Sequence, residues 1–202
     1  NEYKINKPVV VLNDFDICDF DSVRISVEDA IEDAITYLVD LGHGNIGFIG
    51  EKKYGRNLQL FERVMKKMKL KINPDFIAMS DKRFKEAGYD AMDTLFKKNA
   101  LPPSGIIASN DTIGFGALYC IEDYGKKVPD DFSVIGAGDI EVSRFVNSNL
   151  TSVKLHTDEC CNIAMELLLK KMNNNGYKTV QHIILKPKLV IGDSTAKKKR
   201  DE

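Results

Sequence analysis

The chain has 202 residues, 43% of them hydrophobic, with 29 basic against 30 acidic side chains and a formal net charge of −1. That length and composition suit an ordinary soluble core in one large domain or two small ones. The near-neutral balance excludes a broad basic face for nucleic acid, which phosphate contacts would require. No apolar run approaches the roughly 18 to 20 residues that span a bilayer. The opening NEYKINKPVVVLN lacks a signal peptide's long apolar core and cleavage site, so the chain reads as cytoplasmic.

The first apolar run, Pro8 to Asn13, predicts a strand that stops at Asn13-Asp14-Phe15-Asp16, and Ser22 to Ser26 predicts a second, short strand. The clearest helix follows, with Ala30, Ile31, Ala34, Ile35, Leu38 and Val39 on one face and Ser26 placed to cap it with Asp29 three residues on. Gly42 suits its C-cap, and Asn45 to Ile49 predicts a strand. A helix from about Arg56 presents Leu58, Phe61, Met65 and Met68 on one side, Phe76 to Met79 is a weak strand, and a helix spans about Lys85 to Lys98. Pro102-Pro103 then punctuate the entry to Gly105–Asp139, one complete strand, helix, strand unit. Its strands are Gly105 to Ser109 and Phe132 to Gly136, and its helix runs from Thr112 to Tyr124, stopped by Gly125. The polar pairs Asn110-Asp111 and Gly138-Asp139 both fall after strands, where parallel sheets form their ligand crevice. Thr151 to Leu155 (strand), Thr157 to Met172 (helix) and strands around Gln181 to Leu185 and Leu189 to Ile191 complete the alternation. Such a pattern implies α/β architecture, with helices covering both faces of mostly parallel sheet. The C-terminal KKKRDE reads as a solvated charged tail.

Gly42-His43-Gly44-Asn45-Ile46-Gly47 satisfies the GxGxxG pattern of dinucleotide folds, but it follows a helix and runs into a strand. The fingerprint needs the reverse, so that the pyrophosphate meets a helix N-terminus. No cofactor is therefore expected, and His43 reads as a loop residue near the last carbonyls of the helix. His43, His156 and His182 are solitary, and the cysteines at 18, 120, 160 and 161 make no CxxC frame, so no metal site is expected and the thiols read as reduced packing residues. Neither GxSxG nor a P-loop lysine is present, and nothing argues for an enzyme.

Four ordered strings carry a resemblance: LVDLGHGNIGFIG (Leu38 to Gly50), ASNDTIGFGAL (Ala108 to Leu118), YGKKVPDDFSVIGAGD (Tyr124 to Asp139) and LTSVKLHTDECCNIAMELLL (Leu150 to Leu169), followed by KLVIGDSTA (Lys188 to Ala196). Together they resemble the LacI/GalR transcriptional repressors over nearly the whole chain. The segment GDIEVSRF (Gly138 to Phe145) leans toward the galactoside-type members. The resemblance implies a type I periplasmic-binding-protein-like fold. Its two three-layer α/β/α subdomains are joined by three crossovers, with a small molecule, usually a sugar or nucleobase, in the cleft. It places residues 1–42 plus 154–186 in an N-terminal subdomain whose first part is missing, and 43–153 plus 187–202 in the other. It also implies an upstream helix-turn-helix headpiece that binds operator DNA, and a homodimer, because a two-fold repressor reads a two-fold operator.

Carried over by position, Asp29, Asn110 and Asp139 match or adjoin effector contacts in sugar-binding relatives. Asp29 reads equally as a capping-box carboxylate, Asn110 can serve as an N-cap, and Phe84 either stacks on a sugar face or belongs to the core. At Arg56-Asn57 the family's usual arginine aligns with Asn57, one residue after Arg56. Gly192 likewise stands where the closing strand commonly has arginine. The resemblance thus implies a repressor whose sugar-like effector controls operator binding. The alternative is a periplasmic-type sugar-binding protein that feeds a transporter.

Overall fold

The computed structural model describes residues 7–13, 19–98, 100–139, 149–173 and 179–199. Asp14 to Asp16, Cys18, most of the galactoside-type segment (140–148) and the last three residues of the charged tail lie outside them. The chain divides into two units, residues 1–26 with 155–187 and residues 27–154 with 188–202, so it passes between them three times.

The smaller unit holds strands β1 (Val10–Leu12), β2 (Asp21–Ile25) and β8 (His182–Leu185) in the order β1-β2-β8, all parallel, with helix α5 (Thr157–Asn173) packed on β1 and β2. Val23 and Ile25 alternate along β2 onto α5, where they meet Cys160, Ala164 and Leu167. Asp21, fully buried at the start of β2, is matched by an ion pair with Lys171 and by the Gln181 N–H at 2.6 Å. Cys160 is buried as expected, whereas Cys161 beside it is exposed.

The larger unit begins with helix α1 (Val27–Asp40), which buries Ala30, Ile31, Ala34, Ile35 and Leu38 of the predicted face, while Val39, also expected there, is exposed. This helix packs on α2 (Gly55–Lys67) and on strands of the larger sheet, so residues 27–42 group with that unit, where the sequence reading had put them in the other. The reason lies in the stripe itself. Its apolar residues need a sheet face, and the next strand in the chain, β3 (Ile46–Glu51), belongs to a sheet that offers one. That sheet has the order β4-β3-β5-β6-β7-β9, where β4 is Ile77–Ser80, β5 Gly105–Ala108, β6 Ser133–Gly138, β7 Thr151–Lys154 and β9 Lys188–Val190. Only β9 runs antiparallel, against β7.

All six residues of β3 are buried, as a strand covered on both faces must be. Phe48 meets Phe61 of α2 with ring centroids 5.1 Å apart, while Ile49 turns to the opposite face and packs among residues of α3 (Phe84–Lys98) and α4 (Asp111–Asp123). The result is three layers, with α1 and α2 on one face and α3 and α4 on the other. The helices α3 and α4 approach backbone to backbone: a Cβ on Gly88 would lie 2.0 Å from the Ile113 carbonyl oxygen, and one on Gly116 2.0 Å from that of Lys85.

His43 meets its expected role through its backbone, whose N–H donates to the Leu38 carbonyl at 3.0 Å, but its ring does more. After Gly42 closes α1 at φ +88°, with its N–H on the Val39 carbonyl, the His43 ring turns inward and is 3% exposed. Its Nδ1 meets Ser104 Oγ at 2.9 Å, and its Nε2 meets Ser133 Oγ at 2.8 Å and the Ala196 carbonyl at 3.1 Å. Burial holds its pKa below the usual imidazole value, with the nearby Lys198 ammonium acting in the same direction and the Ala196 carbonyl opposing. The ring therefore ties the stretch after β9 to the start of β6.

Candidate functional site

In the larger unit the carboxyl ends of β3, β4, β5 and β6 share one edge, because these four strands are parallel neighbours. Each chain segment that leaves this edge carries polar or aromatic side chains. An open depression of about 590 Å³ lies there, and its lining includes Glu51, Tyr54, Arg56, Asn57, Arg83, Phe84 and Asn110. Four of the six residues expected to bind effector are thus brought together: Arg56, Asn57, Phe84 and Asn110. Asp29, half-buried in the first turn of α1, and Asp139, just after β6, do not line this depression.

Asn110 occupies the N-cap of α4 with extended backbone (φ −161°, ψ 173°), and its Oδ1 accepts the Ile113 N–H at 3.0 Å. The Thr112 hydroxyl donates to the same oxygen. Both readings of this residue therefore have a physical basis: the carbonyl is committed to the helix, while among the described residues no partner meets the amide nitrogen. Asn57 sits in the first turn of α2, beside Arg56, so both residues of the unusual pair line the same wall.

Phe84 is not a core residue. Its ring is 60% exposed, and its backbone has φ +54°, a conformation that costs a non-glycine residue about 1–3 kcal/mol. Glu51 holds it there. This carboxylate, 2% exposed at the last position of β3, accepts the Phe84 N–H at 2.7 Å through Oε1. Its Oε2 lies 2.8 Å from Arg83 Nε, an ion pair whose alignment falls short of a hydrogen bond. The Arg83 guanidinium in turn sits 4.9 Å from the Phe84 ring centroid and 5.5 Å from that of Tyr54. Nearby, the Ser80 hydroxyl and the Lys82 ammonium hold the Asp90 carboxyl below the usual range. Glu51 and Arg83 had no sequence signal beyond their position: Glu51 ends a predicted strand by two residues, and Arg83 precedes a helix.

Asp139 also has left-handed backbone, φ +48°, directly after Gly138 at φ +131°. Its N–H donates to Ser152 Oγ at 3.0 Å, and Ser152 donates its own hydroxyl to Asp111 Oδ1 at 2.6 Å. Asp111, the first residue of α4, is buried, and through Ser152 it connects the β5 end to the β6 end of the edge. The Asp139 side chain is 7% exposed, with Lys154 Nζ at 3.4 Å from its carboxylate. Gly192, where the family pattern has arginine, lies against β7, and a Cβ there would come within 2.2 Å of the Asn149 carbonyl oxygen. Among the described residues no group of three or more His, Cys, Asp or Glu side chains could hold a metal ion, and no helix is long and apolar enough to cross a membrane.

Residues 35–195 match the family described as periplasmic binding protein-like domain. The chain belongs to that family. Its curated relatives include the HTH-type transcriptional repressor PurR of Histophilus somni, 37% identical over 165 residues, covering 80% of this chain and 49% of the relative. The ribose operon repressor of Haemophilus influenzae is 29% identical over 201 residues, covering 96% of this chain and 59% of that protein. The chain thus spans about half the length of the curated relatives it matches. Among solved structures, a transcription regulator from Lactobacillus plantarum superposes with a TM-score of 0.82 at 26% identity, covering 94% of this chain and 73% of the other. A LacI-family regulator from Enterococcus faecium, solved with bound ribose, shares the fold at TM-score 0.82 and 23% identity, covering 95% and 72%. The resemblance read from the four sequence strings to the LacI/GalR regulators is borne out by these relatives.

Proposed function

We propose that this chain is the effector-sensing part of a transcriptional repressor, and that a sugar-like small molecule binds at the depression on the carboxyl edge of the larger sheet. The observation that carries this reading is the gathering of Arg56, Asn57, Phe84 and Asn110 on one wall, in a chain whose relatives are repressors. The chemistry suits a hydroxylated ring. Arg56, Asn57 and Asn110 offer hydrogen bonds to hydroxyls, and the exposed Phe84 face suits the apolar face of a sugar. Asp29 and Asp139 are proposed as further effector contacts made from α1 and from the end of β6.

Sensing requires only that the ligand bind one arrangement of the protein better than another, since an equal affinity for both would shift nothing. Operator DNA is engaged, on this reading, through a headpiece outside these residues, with the protein acting as a homodimer in the cytoplasm and performing no chemistry on its ligand. Calorimetry and thermal shift across galactosides, other sugars including ribose and cellobiose, and purines test it. Binding of one class, with altered operator affinity in the intact repressor, is the expected result. No binding by any of these, together with indifference to operator DNA, would sink the reading.

A further inference from the structure

Glu51 is a carboxylate buried at the rim of a ligand depression, and both of its oxygens are used on one neighbouring corner. Oε1 takes the Phe84 N–H at 2.7 Å, and Oε2 faces Arg83 Nε at 2.8 Å. These two residues are adjacent in sequence, but the carboxylate reaches them from a different strand, 33 positions away for Phe84. Phe84 has φ +54° and an exposed ring, so this backbone is not favoured by its residue type and the ring is not retained by burial. A strained corner persists only where its surroundings over-determine it. Here the surroundings are the Glu51 carboxylate, the Arg83 guanidinium at 4.9 Å from the ring, and Tyr54, whose ring centroid lies 5.5 Å from that guanidinium.

We propose that Glu51 is the positioning residue of this site: its buried carboxylate fixes the Arg83–Phe84 corner so that the ring and the guanidinium present a preset wall to the ligand. The inference rests on the effector-binding reading above and deepens it by naming what sets the shape and charge of that wall. Glu51 does two separable things. As an acceptor it holds the Phe84 backbone, which any carbonyl oxygen of the same reach can do. As an anion it offsets the Arg83 charge; one outer nitrogen, Nη2, donates to the Tyr54 hydroxyl at 3.4 Å, and the remaining outer N–H groups can donate to uncharged hydroxyls. A wall preset in this way does not have to be ordered by the ligand, which preserves affinity.

The pair Glu51→Ala and Glu51→Gln separates these roles in the full chain. Residue-resolved amide exchange should show Phe84 exchanging at least about tenfold faster in E51A, with core amides of β5 unchanged, while E51Q retains most of the protection because its amide oxygen still accepts. Unchanged Phe84 exchange in E51A overturns the proposal. Loss of protection throughout the sheet overturns it too, since Glu51 would then be a general stability residue. Calorimetry with ribose and cellobiose supplies the second arm. For whichever sugar the parent binds, E51A should weaken it by about tenfold, with partial rescue in E51Q, and parent-like affinity in E51A overturns the proposal. If the parent binds neither sugar, nor any other ligand class tried for the effector reading, that reading fails, and the exchange arm alone decides whether Glu51 holds the corner.

Discussion

Asn110 carries two demands that a pair of substitutions can pull apart. Its Oδ1 accepts the Ile113 N–H at 3.0 Å and caps α4, while the residue also lines the depression. Asn110→Ala removes the cap, which costs about 1 kcal/mol. For a chain of this size that corresponds to a fall of about 2–4 °C in melting temperature. Asn110→Asp keeps an oxygen acceptor at the same place and adds a negative charge at a helix N-terminus, where the macrodipole favours it, so its melting temperature should stay within about 1 °C of the parent. The two variants should agree in binding: aspartate has no N–H to donate, so both lose the amide contact and weaken the effector by about five- to tenfold. Differential scanning calorimetry and titration calorimetry on the same preparations give both numbers. If Asn110→Asp binds effector as tightly as the parent while Asn110→Ala only melts earlier, Asn110 is a cap alone, and its place in the site is refuted.

Gly88→Ala and Gly116→Ala each drive a methyl group to within 2.0 Å of a carbonyl oxygen on the facing helix, so α3 and α4 must separate; a loss of about 3 kcal/mol is expected in denaturant unfolding, and a loss under 0.5 kcal/mol would mean the helices are not this close. Ser152→Ala removes one hydrogen bond from buried Asp111 and the acceptor of the Asp139 N–H; stability should fall by about 1–2 kcal/mol, with faster exchange at Asp139. His43 has a folded pKa below the usual imidazole value of about 6.5, so the native state resists the proton that the unfolded chain accepts. Its contribution is full above about pH 6.5 and is lost as the pH falls below that, so stability should decline on acidification below about pH 6.5, and His43→Gln should flatten that part of the curve. A stability that rose on acidification over that window would contradict the burial of the ring.

Much of the fold was legible because it rests on local periodicity. The stripe Ala30, Ile31, Ala34, Ile35 and Leu38, the apolar runs of β3 and β5, and the glycine stops at 42 and 125 each read correctly without any neighbour. The rule that ligands gather after parallel strands pointed to Asn110-Asp111 and Gly138-Asp139, and of these pairs Asn110 lines the depression whereas Asp139 does not. What failed depended on partners distant in the chain. A helical stripe does not state which sheet it will cover, so α1 was placed with the wrong unit. His43 looked like a loop residue because Ser104, Ser133 and Ala196, which receive its ring, lie 61, 90 and 153 residues away.

The sequence by itself determined the alternating α/β order, the mostly parallel strands and the resemblance to LacI/GalR repressors, since these follow from spacing and ordered motifs. Only the tertiary structure decided that Phe84 stands out from the core at a left-handed corner, and that a glutamate from another strand holds it there. The physical reason is one of range. Periodicity records which side of an element is apolar, whereas a buried carboxylate is defined by the donors that neutralise it, and for Glu51 these come from the start of α3, 33 residues further on at Phe84.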